Sequence, residues 1–169
     1  MSDVNAKKPS IPLSIFTGVV LFFSFYILFH KPVIEVVNQP LPEFSVKEIN
    51  SENKISSADF KGKVRVINFF ASWCGYCKME NPVLVELKNS GIEIIGIDWK
   101  DTLPNAMKYL EDNKGIYSRI GFDADGAVGK KFGVRGTPET YVVDENGVVI
   151  KHVTGPLPKD FIERLNLPR

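Results

Sequence analysis

Apolar residues along the chain fall into runs of different length, and each length predicts a different kind of element. The longest apolar run extends from Ile11 to Phe29 and carries no charge. At ~1.5 Å per residue, it just spans a hydrocarbon core of about 30 Å. Shorter apolar runs at 64–70 and 92–98 have the length and composition of buried strands. The pattern therefore predicts one membrane-spanning helix followed by a domain with a buried sheet.

Weaker patterns predict the other elements of that domain. Residues 32–42 hold three prolines and predict an extended tether. Helical patterns lie at 57–62, 78–88, 103–112, 127–132 and 158–165, and strand patterns at 44–49 and 120–123. Strands at 139–143 and 148–153 flank Asn146-Gly147, which is a strong hairpin signal. Strands that alternate with helices and end in a hairpin predict an α/β fold, with helices flanking a mixed sheet and one inserted strand–helix unit.

The long N-terminal run has two interpretations, an uncleaved anchor and a cleaved signal peptide. No small-residue cleavage site follows Phe29, so the anchor is favoured. Lys7 and Lys8 favour a cytoplasmic N-terminus, although Lys31 on the far side weakens that bias. We predict a cytoplasmic segment 1–10, a transmembrane anchor 11–29, a linker 30–42, and a domain 43–169 that faces an extracytoplasmic space.

Composition narrows the class of protein further. Hydrophobic residues make up 44% and charged residues 24%, which is typical of a globular domain. The net charge is +1 with no run of like charge, so nothing indicates nucleic-acid binding. We expect one domain with its own core, in a monomeric protein.

The only two cysteines lie three positions apart, in Trp73-Cys74-Gly75-Tyr76-Cys77. They stand where a predicted strand gives way to a helix, and the free N–H groups of a helix N-terminus stabilise a thiolate. Cys74 should therefore be more acidic than a free cysteine of pKa ~8.5, and act as the exposed attacking thiol, with Cys77 as the shielded resolving thiol. A zinc site would need about four ligands, and the histidines are distant. A purely structural disulfide closing so short a loop would add little stability, so a redox pair is favoured.

Two motifs carry a resemblance to a known family. They are VINFFASWCGYCKME at 66–80 and FGVRGTPETYVVD at 132–144. Over about residues 40–167 the chain resembles thioredoxin-like proteins, and more closely the DsbE/CcmG group of membrane-anchored thiol:disulfide interchange proteins of cytochrome c biogenesis. The resemblance implies a thioredoxin-like fold and a periplasmic domain on an inner-membrane anchor.

The resemblance also implies roles for residues around the cysteines. It implies a cis bond at Thr137-Pro138, which would expose the Thr137 backbone to an extended substrate. Glu80 would move protons to and from Cys77, because Asn68 stands where thioredoxins have a titratable aspartate. The remaining predicted substrate contacts are Trp73, Tyr76 and Glu139. The alternatives to these roles are a solvated first-turn acid for Glu80, an edge-strand acid for Glu139 and a core residue for Trp73.

The implied function is reduction of disulfides in apocytochrome c or its thiol-bearing partner, with electrons from a membrane donor of the DsbD/CcdA type and no bound cofactor or metal. One alternative is a broader TlpA- or ResA-like thiol reductase that serves copper insertion into an oxidase. Another is a copper-binding chaperone. We also expect Glu80 and Glu139 to form a negative rim that favours basic partners.

Overall fold

The computed structural model describes residues 15, 17–22 and 33–165. Of the predicted anchor at 11–29, it therefore describes residues 15 and 17–22, which are helical. Within the described ranges, no helix combines the length and the apolar character needed to cross a bilayer. The predicted segment 1–10 and most of the predicted anchor lie outside the described residues, so both stay predictions.

From residue 33 onward, the described chain forms both strands and helices. The strands are β1 (Val33–Pro40), β2 (Ser45–Lys47), β3 (Lys54–Ser56), β4 (Arg65–Phe70), β5 (Glu93–Trp99), β6 (Arg119–Asp123), β7 (Glu139–Val143) and β8 (Val148–Thr154). The helices are α1 (Gly75–Asn89), α2 (Leu103–Asp112), α3 (Ala127–Phe132) and α4 (Phe161–Leu165), with a 3₁₀ turn at Ser57–Phe60.

Six strands make one mixed sheet in the order β1-β8-β7-β4-β5-β6. Strands β4, β5 and β6 run parallel to one another, whereas β7 is antiparallel to β4 and β8, and β1 is antiparallel to β8. Strands β2 and β3 form a separate antiparallel pair. This is the thioredoxin-like α/β fold with a mixed sheet, and the unit of α2 and β6 follows β5.

The sheet is covered on both faces, which explains why β4 and β5 are almost continuously apolar. On one face Val66 of β4 packs with Leu84 and Leu87 of α1. On the other face Ile67 and Phe69 pack in a cluster that includes residues of β2, β3 and α3. Strand β4 is therefore held in the interior, and the loop at its carboxyl end is fixed in position.

The predicted helices at 103–112 and 127–132 and the predicted strand at 139–143 are confirmed at those bounds. The predicted C-terminal helix is shorter, since it begins at Phe161 instead of residue 158. The Asn146-Gly147 hairpin joins β7 to β8 as predicted.

The predicted tether differs from the structure. Residues 33–40 are extended, but they form the edge strand of the main sheet and pair with β8. Ile34 packs against one core cluster and Val37 against the other, while Val36 points away and is 81% exposed. The prolines favoured a tether over a strand, whereas in the structure the segment covers the otherwise free edge of β8.

This arrangement predicts that β1 contributes to stability. We expect a variant that begins at residue 41 to unfold with a free energy lower by about 2–5 kcal/mol than one that begins at residue 33, because it loses the burial of Ile34 and Val37. Urea denaturation followed by circular dichroism measures the difference. Equal unfolding free energies would mean that residues 33–40 are only a tether.

Candidate active site

The two cysteines lie at the junction of β4 and α1 and form a disulfide, with Cα atoms 5.4 Å apart. Cys74 is the N-cap residue of α1, and its Sγ accepts a hydrogen bond from the Cys77 backbone N–H at 3.1 Å. The first sulfur therefore sits at the positive end of a 15-residue helix. This confirms the predicted strand-to-helix setting.

The predicted exposure of Cys74 is wrong for this disulfide state. Cys74 is 4% exposed and Cys77 is 1% exposed, so both are buried. The N-cap geometry explains the burial of Cys74, because its sulfur folds back over the first turn of the helix. The order of accessibility is the predicted one, but the difference between the two residues is small.

Aromatic side chains mark the surface beside the disulfide. Trp73 is 57% exposed, and Tyr76 is exposed as well. The Trp73 indole N–H donates to the Lys100 carbonyl at 3.2 Å, and its ring lies 6.3 Å from that of Trp99. Trp73 is thus not a core residue; hydrogen bonding and ring contact hold it as an exposed ring that directly precedes Cys74.

The Thr137–Pro138 peptide bond is cis, as the family resemblance implied. Glu139 at the start of β7 pairs with Phe69 near the end of β4, so Pro138 lies at the same end of the sheet as the cysteines. Among the described residues, Thr137 has no hydrogen-bond partner for its backbone groups or for its buried hydroxyl. An extended partner segment could pair with that free backbone.

Glu80 is fully buried on α1, three residues after Cys77. One carboxylate oxygen accepts from the Asn68 amide at 2.9 Å, and the other accepts from the Leu157 N–H at 2.9 Å. Burial raises the pKa of Glu80 to about 7, although the hydrogen bonds from Leu157 and Asn68 oppose the shift. The alternative of a solvated surface acid is therefore excluded.

Asn68 extends this buried network across the sheet. Its amide also donates to the Thr140 hydroxyl at 3.0 Å, and its carbonyl accepts from the Tyr117 hydroxyl at 2.8 Å. All its polar atoms are thus satisfied, and its orientation is fixed. A buried carboxyl with a near-neutral pKa and fixed donors can take up and release a proton during exchange.

Glu139 lies on the other face of the sheet, because successive residues of a strand point to opposite faces and Thr140 faces Asn68. Its carboxylate accepts from the Arg135 N–H, the Tyr141 hydroxyl and His152 at 2.9–3.0 Å. Burial opposes ionisation, but these contacts, His152 first, hold the pKa of Glu139 below its ordinary value. Glu139 is neither an edge-strand residue nor part of a surface rim, and the predicted negative rim is wrong.

Asp98 is a second buried acid on the Glu80 side of the sheet, and sequence reasoning missed its importance. It pairs with Phe70 across β4 and β5, and neither carboxyl oxygen has a hydrogen-bond partner among residues 33–165. Burial, together with the negative charge of Asp101, raises the pKa of Asp98 to about 8. The signal in the sequence was an acid at the end of an apolar strand.

Comparison with known proteins shows what the chain is similar to. Residues 36–166 match the family model described as Redoxin. The chain is 40% identical over 124 residues to the thiol:disulfide interchange protein HelX of Rhodobacter capsulatus, covering 73% of this chain and 70% of that protein. It is 34% identical over 148 residues to the thiol:disulfide interchange protein DsbE of Pseudomonas aeruginosa, covering 86% and 82%.

Solved structures support the same fold. A thiol:disulfide interchange protein of the thioredoxin family from Chlorobium tepidum is 28% identical and superposes with a TM-score of 0.63, over 78% of this chain and 95% of that one. A secreted thiol-disulfide isomerase from Corynebacterium glutamicum, at 22% identity and a TM-score of 0.69, is similar in fold.

The Glu80 network predicts a change in the pH dependence of thiol–disulfide exchange. In Glu80→Gln the amide cannot take a proton, so we expect the rate above pH ~7 to fall by about tenfold or more and the inflection near pH ~7 to disappear. Stopped-flow exchange with a small disulfide measures the profile. The control Glu86→Gln changes an exposed glutamate of the same helix and should leave the pH–rate profile unchanged. If Glu80→Gln also leaves the profile unchanged, Glu80 carries no proton in the exchange.

The buried Asp98 predicts a change in stability with pH. Its pKa is raised by folding, so the native state binds a proton that the unfolded chain loses, and the unfolding free energy falls as pH rises from about 4 to about 8. In Asp98→Asn, the unfolding free energy should fall by a few kcal/mol less over this pH range than in the unmodified protein. Urea denaturation at several pH values measures the difference. The control Asp112→Asn removes an exposed carboxylate. Parallel declines in all three proteins would contradict the assignment.

Proposed function

Because the chain belongs to the Redoxin family, as a thiol:disulfide interchange protein of the DsbE/HelX type, we propose that it reduces disulfides of an apocytochrome c, or of its thiol-bearing partner, during cytochrome c maturation. The observation that carries the proposal is the Cys74–Cys77 disulfide at the N-terminus of α1, with the cis Thr137–Pro138 bond at the same end of the sheet.

The reaction consists of two successive thiol–disulfide exchange steps. In the reduced protein, the Cys74 thiolate attacks one sulfur of the substrate disulfide, which forms a mixed disulfide and releases the other substrate sulfur as a thiolate. Cys77 then loses its proton and attacks the Cys74 sulfur. This step releases the second substrate thiolate and leaves the Cys74–Cys77 disulfide that the structure contains.

Glu80 is proposed to handle the proton of the resolving step. It follows Cys77 by three residues on the same helix, and both side chains are buried. With a pKa of about 7, its carboxylate can accept the Cys77 proton in one half of the cycle and return it when the disulfide is reduced again. Asn68 and Leu157 hold the carboxyl in place for both steps.

Substrate contacts are proposed on the surface around the disulfide. The unpaired Thr137 backbone next to Pro138 would align an extended substrate segment, while the exposed rings of Trp73 and Tyr76 would contact its side chains. Glu139 acts indirectly, because its carboxylate binds the Arg135 N–H and so fixes the loop that leads to Pro138.

The location proposed for the reaction is the periplasmic face of the inner membrane. The uncharged run at 11–29 supports a single-pass anchor, with the Redoxin domain on the periplasmic side. The protein is proposed to act as a monomer. The disulfide must be reduced after each turnover, and a membrane protein of the DsbD/CcdA type would supply the two electrons and two protons.

Substitution of each cysteine tests the proposal. Cys77→Ser should accumulate a mixed disulfide between Cys74 and its partner, because nothing resolves it, whereas Cys74→Ser should trap none. Trapped complexes are identified by mass spectrometry after acid quenching and alkylation. Cells lacking the chain should lose most covalently bound haem from cytochrome c, and neither variant should restore it.

Ser72→Ala is the matched control, since it alters a hydroxyl at the same loop and leaves both thiols. Equal trapping by the two cysteine variants would overturn the assigned order of attack. Normal holocytochrome c together with loss of oxidase copper would favour the alternative thiol reductase.

A further inference from the structure

Two grooves open on either side of the Trp73–Trp99 pair, next to the disulfide. The larger one, of about 1060 Å³, lies between α1 and α2 and is lined by Trp73, Lys78 and Lys108 among others. The smaller one, of about 310 Å³, is lined by Trp99 and Lys100 among others. Because Trp73 directly precedes Cys74 in the chain, the grooves are candidate contact surfaces for a partner that presents a sulfur to Cys74.

Both grooves carry more positive than negative charge. The larger groove is lined by Lys78, Lys108 and Lys114 against Asp112, and the smaller one by Lys100 and Lys130 against Asp125. Within residues 33–165, the side chains of Lys78 and Lys108 have no ion pair or hydrogen bond, and Lys114 has only a 3.6 Å contact with Glu111. The lysines of the larger groove are thus available to an incoming anion.

The acids of the site do not offset this charge. Glu80, Glu139 and Asp98 are buried, and Glu80 and Asp98 have pKa values of about 7 and about 8. Asp101, also buried, has its carboxylate engaged with the backbone N–H groups of Ser72 and Thr102 at 2.6 and 2.7 Å. The side chains that line the two grooves therefore carry a net positive charge, whereas the rim expected from the sequence was negative.

We propose that the site selects partner segments that carry Asp or Glu beside the reacting cysteine, with those carboxylates seated against Lys78 and Lys108 in the larger groove. This inference rests on the proposed disulfide reduction and names the class of substrate. Opposite charges across an interface speed association and orient the encounter, and the effect weakens as salt screens it. The exchange chemistry is unchanged and needs no further reactant.

Three disulfide peptides, identical except for acidic, neutral or basic residues beside the cysteines, test the inference on the full chain in its reduced form. We expect the acidic peptide to be reduced about two- to tenfold faster than the neutral one, the basic peptide to be slowest, and the spread to shrink at high salt. Lys78→Glu and Lys108→Glu should each lower the rate with the acidic peptide by about two- to fivefold and raise it with the basic one.

Lys61→Glu is the matched control, because it makes the same change in charge just before β4, at the end of that strand opposite the cysteines. It should leave the order of the three peptides unchanged. Reduction of all three at equal rates at both salt concentrations, or a preference for the basic peptide, overturns the inference and leaves the proposed function standing. Failure to reduce any peptide overturns both.

Discussion

The arrangement of the site depends on the hydrogen bonds of the buried Glu80 carboxyl. It joins three parts of the chain, since α1 supplies the carboxyl, β4 supplies the Asn68 amide, and the segment before α4 supplies the Leu157 N–H. A carboxyl without donors at this depth would destabilise the fold by several kcal/mol, so each of these groups constrains the others. The same two donors hold the helix that carries the disulfide against the sheet and moderate the pKa of its acid.

Local sequence patterns, which involve residues close together in the chain, were enough to predict most strands and helices and the reactive cysteine pair. The cysteines mark the end of β4, Asn146-Gly147 marks a hairpin, and the spacing of Cys77 and Glu80 places them on one helical face. Strand β1 could not be predicted in the same way. Its prolines indicate a tether, whereas its strand conformation depends on pairing with the edge of β8, more than a hundred residues later in the chain.

Other features of the site depend on pairing between distant segments, which the sequence does not specify. Alternation along β7 separates Glu139 from Thr140, but the face each one occupies is decided by the register with β4. That register puts Thr140 beside Asn68 and turns Glu139 towards His152. Likewise, the packing of α1 and α2 brings Lys78 and Lys108 to one groove, although thirty positions separate them.

Burying the acids and exposing the lysines separates two electrostatic tasks that would otherwise conflict. A surface carboxyl with an ordinary pKa of about 4.3 is ionised at neutral pH and cannot hold a proton for exchange, so a proton-carrying acid has to be buried. Partner selection requires the opposite, since only exposed charges reach an approaching protein. The charge next to the resolving thiol follows the same division. An ionised Glu80, three residues after Cys77 on α1, disfavours a thiolate on Cys77 until the carboxylate has taken up the Cys77 proton.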